Sequence, residues 1–277
     1  MLRSIFRERL FDGHVIMISG GGSGIGRAIA RELAVLGATV VICGRTLEKL
    51  EAVKAEIEAE GGKVHSIVCN IRDEEQVKQL FAQILEKCGR IDALVNNAGG
   101  QFLSPAEAIT AKGWNAVIET NLTGAFFMCK AAQQVWMKEH GGAIVTIVAD
   151  IWRGFPNMAH SGAARAGVVN LTQTLALEWA QYAIRINAVA PGLIDSSGLS
   201  KYPPEVQAML AQLPRDIPAQ RMGTEREVAA AVVFLLSPAA AFISGETLKV
   251  DGAGSLYRLQ GYVIPEHTAW ESYGEDS

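Results

Sequence analysis

The sequence lacks the features that mark membrane, metal-binding and nucleic-acid-binding proteins. Its apolar runs are interrupted by glycine, asparagine or charge, well short of the roughly 20 apolar residues that a membrane-spanning helix needs. The four cysteines do not have the spacing of metal ligands, and no long basic run accompanies the net charge of −4. We therefore predict a protein that holds no metal and binds neither membranes nor nucleic acid.

The N-terminus and the cysteines also lack the marks of export. Residues 1–11 mix basic and acidic side chains, so we expect an ordering segment here rather than a signal peptide. Cys43 and Cys69 fall at the ends of predicted strands, where we expect buried thiols that fit a reducing cytoplasm. With 277 residues, 49% of them hydrophobic, the chain can form one large α/β domain over residues 1–277.

A glycine-rich turn lies between a predicted strand and a predicted helix. The apolar run 14–18 precedes the turn, and the periodic segment 27–36 follows it. This order favours dinucleotide binding over a purely structural turn, because glycines let the backbone approach a pyrophosphate and the helix N-terminus offers free N–H groups. Three residues, rather than the commoner one, separate the first two glycines. The residues expected to contact a cofactor are Gly20, Ser23, Gly24, Ile25 and Gly26.

Strands and helices alternate along the rest of the chain. Alternation of this kind is typical of parallel βαβ units, since parallel neighbours need a crossover connection. We predict an α/β fold, a Rossmann-type three-layer α/β/α sandwich with a seven-stranded parallel sheet. The six further strands are expected at residues 38–43, 64–69, 91–95, 142–148, 185–189 and 247–250. Helices are expected at 47–57, 73–87, 114–140, 161–180 and 224–236; Asp73 is the expected cap of the second, and Thr224 with Glu227 forms a capping box in the last.

The end of the second predicted strand bears on the choice of cofactor. A site that prefers NAD usually carries an acid there, which binds the adenosine ribose, but here Gly44 and Arg45 follow the strand. A guanidinium suits a 2′-phosphate, so we predict NADP(H); the alternative is that Arg45 caps a solvated turn. Asn70 and Ile71, after the third strand, lie where an adenine would rest in a doubly wound sheet.

The segment 96–99 directly follows the fourth predicted strand, at the sheet edge where ligands bind. Its asparagine side chains can hold neighbouring strand ends together, and its small residues leave room for a cofactor. We predict that Asn97, Ala98 and Gly99 contribute to the cofactor site.

The chain resembles the short-chain dehydrogenase/reductase family over about residues 12–252. The resemblance rests on segments 20–26, 96–99, 119–124 and 185–192, and on the ending 242–252. Within that family it is most similar to the peroxisomal trans-2-enoyl-CoA reductases and their bacterial relatives, through segments 97–124 and 160–167, and more distantly to the dienoyl-CoA reductases. The resemblance implies a homotetramer that packs its long helices 114–140 and 161–180 between subunits. It also implies contacts to the nicotinamide from Pro191, Gly192 and Ile194, with Ser196 in the usual threonine place.

The catalytic residues that most family members share are missing here. Most members place a tyrosine four residues before a lysine, and these places hold Ser161 and Arg165. The serine expected after the fifth strand is replaced by the segment Val148-Ala149-Asp150. The shifted tyrosine of the peroxisomal enoyl-CoA reductases is also absent, because segment 169–173 reads Val-Asn-Leu-Thr-Gln.

The missing phenol favours one reaction over another. Reduction of a carbonyl makes a basic alkoxide, which needs a positioned acid. Reduction of the C=C bond of an enoyl thioester leaves a delocalised enolate, which hydrogen-bond donors alone can stabilise. The expected catalytic residues are Asn121, Ser161, Arg165 and Asp150, and Arg165 would also lie under the nicotinamide ribose.

Each of these candidates has a structural alternative. Asn121 can simply bend the helix that contains it, and Asp150 can pair with Arg153. His160 can act as a weak acid or as a hydrogen-bond partner at a helix N-terminus. Trp152, in the loop before that helix, can line an acyl pocket together with Phe155 and Met158, or pack in the core.

Two segments near the C-terminus are expected to lie outside the regular sheet. Residues 195–215 contain Pro203-Pro204 and a short amphipathic run, which predicts a lid over the substrate. The aromatic but irregular tail 253–277 is expected to pack on the body of the protein or on a neighbouring subunit.

The sequence therefore predicts an NADPH-dependent reductase of the C=C bond of 2-enoyl thioesters, of the trans-2-enoyl-CoA or 2,4-dienoyl-CoA type. One alternative is an NADP(H)-dependent alcohol or 3-oxoacyl oxidoreductase that uses Arg165 and water in place of tyrosine. Another is a catalytically silent NADP-binding protein. The acyl chain length, the choice between CoA and carrier protein, and the donor of the α-carbon proton stay open.

Overall fold

A seven-stranded parallel sheet forms the centre of the molecule. The structure is a computed structural model that describes residues 4–196, 207, 213–257, 264–265 and 267–273. The strands are β1 Val15–Ser19, β2 Thr39–Gly44, β3 Lys63–Val68, β4 Ala93–Asn96, β5 Gly142–Ile147, β6 Ile184–Pro191 and β9 Thr247–Val250. Their spatial order is β3-β2-β1-β4-β5-β6-β9, and every neighbouring pair is parallel. The predicted fold class is confirmed, and the predicted strands lie within a residue or two of the observed ones.

Helices cover both faces of this sheet. They are α1 Gly24–Val35, α2 Leu47–Ala59, α3 Glu74–Cys88, α4 Ala111–Ile118, α5 Gly124–Ala132, α6 Lys138–His140, α7 Ala159–Glu178 and α8 Glu225–Leu236. The predicted caps are confirmed: the Asp73 side chain accepts hydrogen bonds from two backbone N–H groups of α3, and Thr224 and Glu227 form the capping box of α8. A short parallel pair that the sequence did not predict, β7 Ile194–Asp195 and β8 Gly223–Thr224, precedes α8.

Two apolar layers separate the helices from the sheet. Alternating strand residues divide between them, since Ile16 and Ile18 face one layer while Val15 and Met17 face the other. Helices α1, α2 and α8 pack in the first layer, and α3, α5 and α7 pack in the second. Burial on both faces explains why these strands are almost continuously apolar.

The predicted helix 114–140 is a longer helix with two irregular turns. It begins at Ala111, because the Thr110 side chain accepts a hydrogen bond from Gly113 N. Between α4 and α5 the residues Glu119–Thr123 form a π-helical segment, and a second one, Gln133–Met137, precedes α6. Such widened turns are frequent at functional sites, and Asn121 lies in the first of them.

The segment 185–187 ties β6 to the end of α8. The Arg185 guanidinium donates to the carbonyl groups of Leu235, Leu236, Ser237 and Ala240 at the helix C-terminus. The Asn187 amide donates to Ile243 O and accepts from Glu246 N, on the connection that leads to β9. This motif therefore serves the fold by satisfying helix-end carbonyls that would otherwise lack partners.

The described part of the C-terminal tail packs on the body of the same chain. Trp270 N donates to Ala219 O, and the Arg221 guanidinium donates to Trp270 O. The Tyr273 hydroxyl donates to the buried carboxylate of Glu32 in α1, and the Arg226 guanidinium lies 4.7 Å from the Tyr273 ring centroid. The tail was predicted to pack on the body of the protein or on a neighbouring subunit, and its described part packs on the body.

We expect replacement of Arg185 by Met to destabilise the protein by about 2–4 kcal/mol, because several helix-end carbonyls lose a charged donor. Urea unfolding measures the change in the free energy of unfolding. Arg7→Met, at an exposed position, is the matched control and should change stability by less than about 0.5 kcal/mol. An Arg185 variant as stable as that control would contradict this role.

Candidate active site

A cleft of about 340 Å³ opens at the carboxyl ends of the strands near β1, where the strand order reverses. Of the residues predicted to bind a cofactor, those that line it are Gly20, Ser23, Gly24, Ile25, Arg45, Asn70, Ile71, Asn97, Ala98 and Gly99. The predicted residues that do not line it are Gly26, Arg165, Pro191, Gly192 and Ile194. The structure adds several lining residues that were not predicted to contact a cofactor, among them Cys43, Thr46, Lys49, Cys69, Arg72 and Thr120.

Asn97 fixes the glycine-rich turn against the end of β4. Its side-chain amide donates to the carbonyl groups of Ser19 and Gly20, at 3.1 Å each. Gly20 has a φ of 69°, and a Cβ there would lie 2.8 Å from the Ala98 Cα atom. A Cβ on Gly26 would collide with Gly20 O and with the Asn97 amide. Gly26 thus acts through packing, since its lack of a side chain lets α1 approach the turn.

The N-terminus of α1 is open toward the cleft. Ser23 occupies the N-cap position, yet its side chain makes no capping hydrogen bond, and the first turn contains no acidic residue. Free N–H groups and the positive end of the helix dipole are therefore available to an anion. A dinucleotide pyrophosphate fits this arrangement.

Two cations line the cleft just after the end of β2, and neither has an acidic partner among the described residues. Arg45 and Lys49 are exposed, and neither forms a salt bridge with any residue in the described part of the chain. Arg72 also lines the cleft, but its guanidinium pairs with Glu119. Lys49 was not predicted to contact a cofactor. Its position four residues after Arg45 could have indicated that the two side chains share a phosphate site.

Cys43 and Cys69 are buried free thiols in the wall of the cleft, as their predicted strand-end positions suggested. The hydrogen bond between the two side chains raises the pKa of Cys43 and lowers the pKa of Cys69. Burial instead raises the pKa of Cys129, which lies in the core, to about 12.

Arg165 lies on α7 beside the loop that follows β4. Its Nη1 donates to Ile147 O at 2.9 Å, and its Nη2 lies 3.2 Å from a Cβ built on Gly99. Burial lowers the pKa of the guanidinium to about 10, so the group stays protonated at neutral pH. No described carboxylate pairs with it, and its buried Nε has no partner in the described part of the protein. The site therefore holds an uncompensated positive charge.

The Asn121 side chain hydrogen-bonds to both backbone groups of Gly100, in the loop after β4. Its Oδ1 accepts from Gly100 N at 2.9 Å, and its Nδ2 donates to Gly100 O at 3.0 Å. The side chain is 5% exposed. The structure thus places Asn121 beside the expected site, where it holds the loop.

Ser161, one helical turn before Arg165, is fully buried and contacts the same loop. Its hydroxyl donates to Gln101 Oε1 at 2.9 Å. The preceding His160 accepts a hydrogen bond from Ser161 N, and its ring lies edge-on to Phe102 with a centroid separation of 4.3 Å. Gln101 and Phe102 were not predicted as site residues, although both belong to the segment that carries the family resemblance.

Asp150 does not pair with Arg153, so the pairing considered as an alternative for this carboxylate is not observed. Arg153 instead donates to the carbonyl groups of Gly254 and Tyr257. Asp150 N donates to Pro191 O at 3.2 Å, which brings it to the end of β6. Its buried Oδ1 has no hydrogen-bond partner within the described residues. Oδ1 is therefore an unsatisfied buried acceptor at this sheet edge.

The loop after Asp150 presents an aromatic surface. Trp152 is 44% exposed rather than packed in the core, and the Lys249 ammonium lies 4.2 Å from its ring centroid. Phe155 packs against Gly162 at the start of α7. Phe102 and Leu103, each 40% exposed, add further apolar surface from the loop after β4.

The nicotinamide segment predicted after β6 is held by neighbouring strands. A Cβ on Gly192 would lie 2.8 Å from Asp251, and Ile194 pairs with Gly223 in the β7–β8 ladder. Ser196 reaches the cleft. The predicted lid, apart from its ends and Gln207, lies outside the described residues.

The described residues carry neither a metal-binding cluster nor a helix that could span a membrane. The described residues contain no group of three His, Cys, Asp or Glu side chains placed to hold a metal ion. None of the described helices combines the length and the hydropathy required to traverse a lipid bilayer.

Comparison with known proteins adds to this geometry. A family model described as enoyl-(acyl carrier protein) reductase matches residues 20–254. A probable 2,4-dienoyl-CoA reductase of Bacillus subtilis is 40% identical over 240 residues, which cover 86% of this chain and 94% of the relative. A peroxisomal 2,4-dienoyl-CoA reductase of Danio rerio is 36% identical over 267 residues, 94% of this chain and 89% of the relative. The solved structure of the citronellol catabolism dehydrogenase AtuB of Pseudomonas aeruginosa is 50% identical, with a TM-score of 0.83, and covers 91% of this chain and 99% of its own.

We expect Gly26→Ala to weaken dinucleotide binding by about 10- to 100-fold, because the displaced turn loses at least one hydrogen bond to a charged phosphate. The added methyl group should also lower the free energy of unfolding by about 1–3 kcal/mol. Fluorescence titration with a nicotinamide dinucleotide and urea unfolding measure the two effects. Wild-type affinity in this variant would show that the close packing of α1 on the turn does not shape the site.

Proposed function

Because the chain belongs to the short-chain dehydrogenase/reductase family of oxidoreductases, we propose that it reduces the C=C bond of 2-enoyl thioesters with NADPH. The observation that carries this proposal is the buried Ser161 at the family's tyrosine position, whose hydroxyl is bound to Gln101. Among the residues that the structure describes, this site provides hydrogen-bond donors and a cation but no phenol. Such a set suits a delocalised oxyanion better than an alkoxide.

The tyrosines that the structure describes do not replace the missing phenol. Tyr182 follows α7 at the end remote from Ser161, and the Tyr273 hydroxyl is bound to Glu32. Tyr257 contributes its backbone carbonyl to Arg153. None of these three side chains hydrogen-bonds to Ser161, Arg165 or Asp150.

The cleft residues fit NADPH, the proposed cofactor. The open N-terminus of α1 would bind the pyrophosphate, and the unpaired Arg45 and Lys49 would bind the 2′-phosphate. Asn70 and Ile71 would line the adenine site. Arg165, Pro191, Gly192 and Ile194 would hold the nicotinamide half, as the family pattern implies.

The chemistry divides between the cofactor and this chain's own residues. Bound NADPH supplies a hydride to the β-carbon of the substrate. Negative charge then develops on the thioester oxygen, and the protonated Arg165 stabilises it electrostatically within a poorly solvated site. Asn121 keeps the loop 99–101 in place, and Asp150, whose Oδ1 has no hydrogen-bond partner among the described residues, can position the water that protonates the α-carbon.

The aromatic surface beside the site supports an acyl substrate. Phe102 and Trp152 are both at least 40% exposed near the catalytic side chains, where an apolar acyl chain would cover them. The relatives described as 2,4-dienoyl-CoA reductases act on substrates of this class, by their names. The proposal therefore includes conjugated dienoyl thioesters.

A second candidate is oxidoreduction of an alcohol. The observation in its favour is the 50% identity to a protein described as a citronellol catabolism dehydrogenase. In that reaction Arg165 and a water molecule would have to replace the tyrosine. We rank this function second, because the Arg165 guanidinium donates to Ile147 O and the described side chains beside it supply no phenol to protonate an alkoxide.

We further propose a cytoplasmic homotetramer. Trp114, Phe126 and Leu177 are apolar and exposed on the long helices 111–140 and 159–178, where a subunit interface would bury them. The four free cysteines fit a reducing compartment. Sedimentation velocity tests the assembly.

The function is tested by NADPH oxidation with a panel of substrates: crotonyl-CoA, 2,4-hexadienoyl-CoA, acetoacetyl-CoA and citronellal, with citronellol and NADP⁺ as the reverse assay. We expect turnover with the first two. Turnover limited to acetoacetyl-CoA or to the citronellol pair would establish the second candidate instead. NADPH binding without turnover of any of these compounds would favour a catalytically silent protein.

The cofactor preference is tested at Arg45. We expect Arg45→Ala to raise the Kd for NADPH about 10- to 100-fold and to leave the Kd for NADH within about threefold, since a charge-assisted hydrogen bond to the 2′-phosphate is lost. Arg45→Ala combined with Lys49→Ala should be weaker still. Lys54→Ala is the control, because Lys54 lies on α2 like Lys49 but is paired with Glu51. Equal weakening of both dinucleotides would contradict a 2′-phosphate site.

A further inference from the structure

Cys43 and Cys69 are neighbours on the same face of the sheet. Cys43 of β2 pairs in register with Ile67 of β3, and Cys69 follows Ile67 by two residues. Side chains two residues apart on a strand point to the same face, and both cysteines are buried in the same apolar layer. Cys69 N donates to Gly44 O at 2.9 Å, so the two strand ends are tied together beside the thiols.

The two thiols are free and interact with each other. The hydrogen bond between their side chains favours the Cys69 thiolate, which lowers the pKa of Cys69. Burial instead raises the pKa of Cys88, and it raises the pKa of Cys129 to about 12. A thiolate beside a thiol is the arrangement from which an oxidant forms a disulfide. Of the four cysteines, this pair is therefore the one suited to reversible oxidation.

The pair forms part of the wall of the cofactor cleft. Cys43 precedes Gly44 and Arg45 in the chain, Cys69 precedes Asn70, and all five residues line the cleft. The cysteines are 0% and 2% exposed, so a reagent that reaches them has to be small and has to enter through the cleft. A peroxide meets both conditions, and a bound dinucleotide would block its path.

We propose that Cys43 and Cys69 are a redox-sensitive modification site, at which a peroxide forms a disulfide that weakens dinucleotide binding. This inference rests on the cofactor site of the proposed function and does not depend on the reaction that the protein catalyses. The disulfide acts on the adenosine half of the cofactor and couples its binding to the redox state of the compartment. Disulfides in reducing compartments are usually transient and serve as redox sensors or in catalysis.

One molecule of hydrogen peroxide balances the oxidation. The Cys69 thiolate attacks a peroxide oxygen and the O–O bond breaks; the released hydroxide takes up the proton that Cys69 had lost, which leaves a sulfenic acid and water. The Cys43 sulfur then attacks the sulfenic sulfur and the S–O bond breaks. The second hydroxide leaves as water with the Cys43 proton. The two thiols thus lose two electrons to the peroxide, and one S–S bond forms.

The new bond changes the shape of the adenine end of the cleft. An S–S bond is about 2 Å long, shorter than any contact between two separate thiols, so the ends of β2 and β3 must shift toward each other. The chain after Cys69 is held by other contacts: Asn70 N donates to Gln76 Oε1, and Ile71 packs so closely on Gly124 that a Cβ there would lie 2.8 Å from Ile71 Cδ1. The wall that would contact adenine is therefore distorted by the shift rather than carried along with it.

Peroxide treatment of the full chain, followed by peptide mapping and binding measurements, tests the inference. Trypsin digestion without reductant should yield the peptides 32–45 and 64–72 joined by a disulfide. The Kd for NADPH should rise about 10-fold or more, and dithiothreitol should restore it. Adenosine 2′,5′-bisphosphate, which offers the adenosine half alone, should be weakened by a similar factor.

Occupancy of the cleft and the removal of either thiol provide independent checks. NADPH at about ten times its Kd should slow formation of the disulfide about tenfold, because about a tenth of the protein then has an open cleft. Cys43→Ser and Cys69→Ser should form no link, and the Kd of each variant should not change on peroxide treatment. Cys88→Ser, at a free cysteine outside the cleft, is the matched control and should form the link as wild type does.

The outcomes distinguish this inference from the function on which it rests. Reduced wild-type protein that binds no nicotinamide dinucleotide overturns the proposed cofactor site, and the regulatory role of the pair with it. Normal binding by the reduced protein, combined with the absence of linked peptides or with an oxidised form whose Kd stays within about threefold, overturns this inference alone. Linked peptides, a reversible rise in the Kd and protection by NADPH support it.

Discussion

The site depends on two asparagine side chains that satisfy backbone groups of loops. Asn97 donates to the carbonyls of Ser19 and Gly20. Asn121 accepts from Gly100 N and donates to Gly100 O. Buried backbone polar groups must find partners, so these bonds fix the glycine turn and the loop 97–101 relative to each other. The π-helical turn around Asn121 is the local distortion that accompanies the second of these contacts. The shapes of the cleft at the strand ends and of the loop beside it are therefore set by these two amide side chains.

Charges that lack protein partners mark where a ligand belongs. Two cations near the site are occupied, since Arg72 pairs with Glu119 and Arg153 donates to two backbone carbonyls. Arg45 is unpaired among the described residues, and Arg165 keeps one protein hydrogen bond and a lowered pKa. Arg45 is exposed, but burial of the unpaired charge of Arg165 costs stability, which is expected where function requires it. The two groups lie at opposite ends of the proposed cofactor.

Local sequence patterns predicted the fold, whereas contacts across the chain did not follow from them. The Asp73 cap and the Thr224 capping box involve neighbours in sequence, and both are confirmed. The partners of Arg153 lie about 100 residues away, so the nearby Asp150 was the wrong guess. Gln101 escaped prediction for the same reason, because its bond to Ser161 spans 60 residues and no periodicity reports it. The hydrogen-bond partners of the site residues thus depend on tertiary contacts, which local sequence patterns do not predict.

The central claim is that a site whose described side chains include no phenol directs hydride to carbon–carbon unsaturation. The most direct measurement uses NADPH deuterated at C4 of the nicotinamide and locates the label in the product by NMR. We predict that incubation with crotonyl-CoA places deuterium on the β-carbon of butyryl-CoA. Label found on a carbinol carbon, in the alcohol formed from a ketone or aldehyde substrate, with no transfer to crotonyl-CoA or a dienoyl-CoA, would contradict the account.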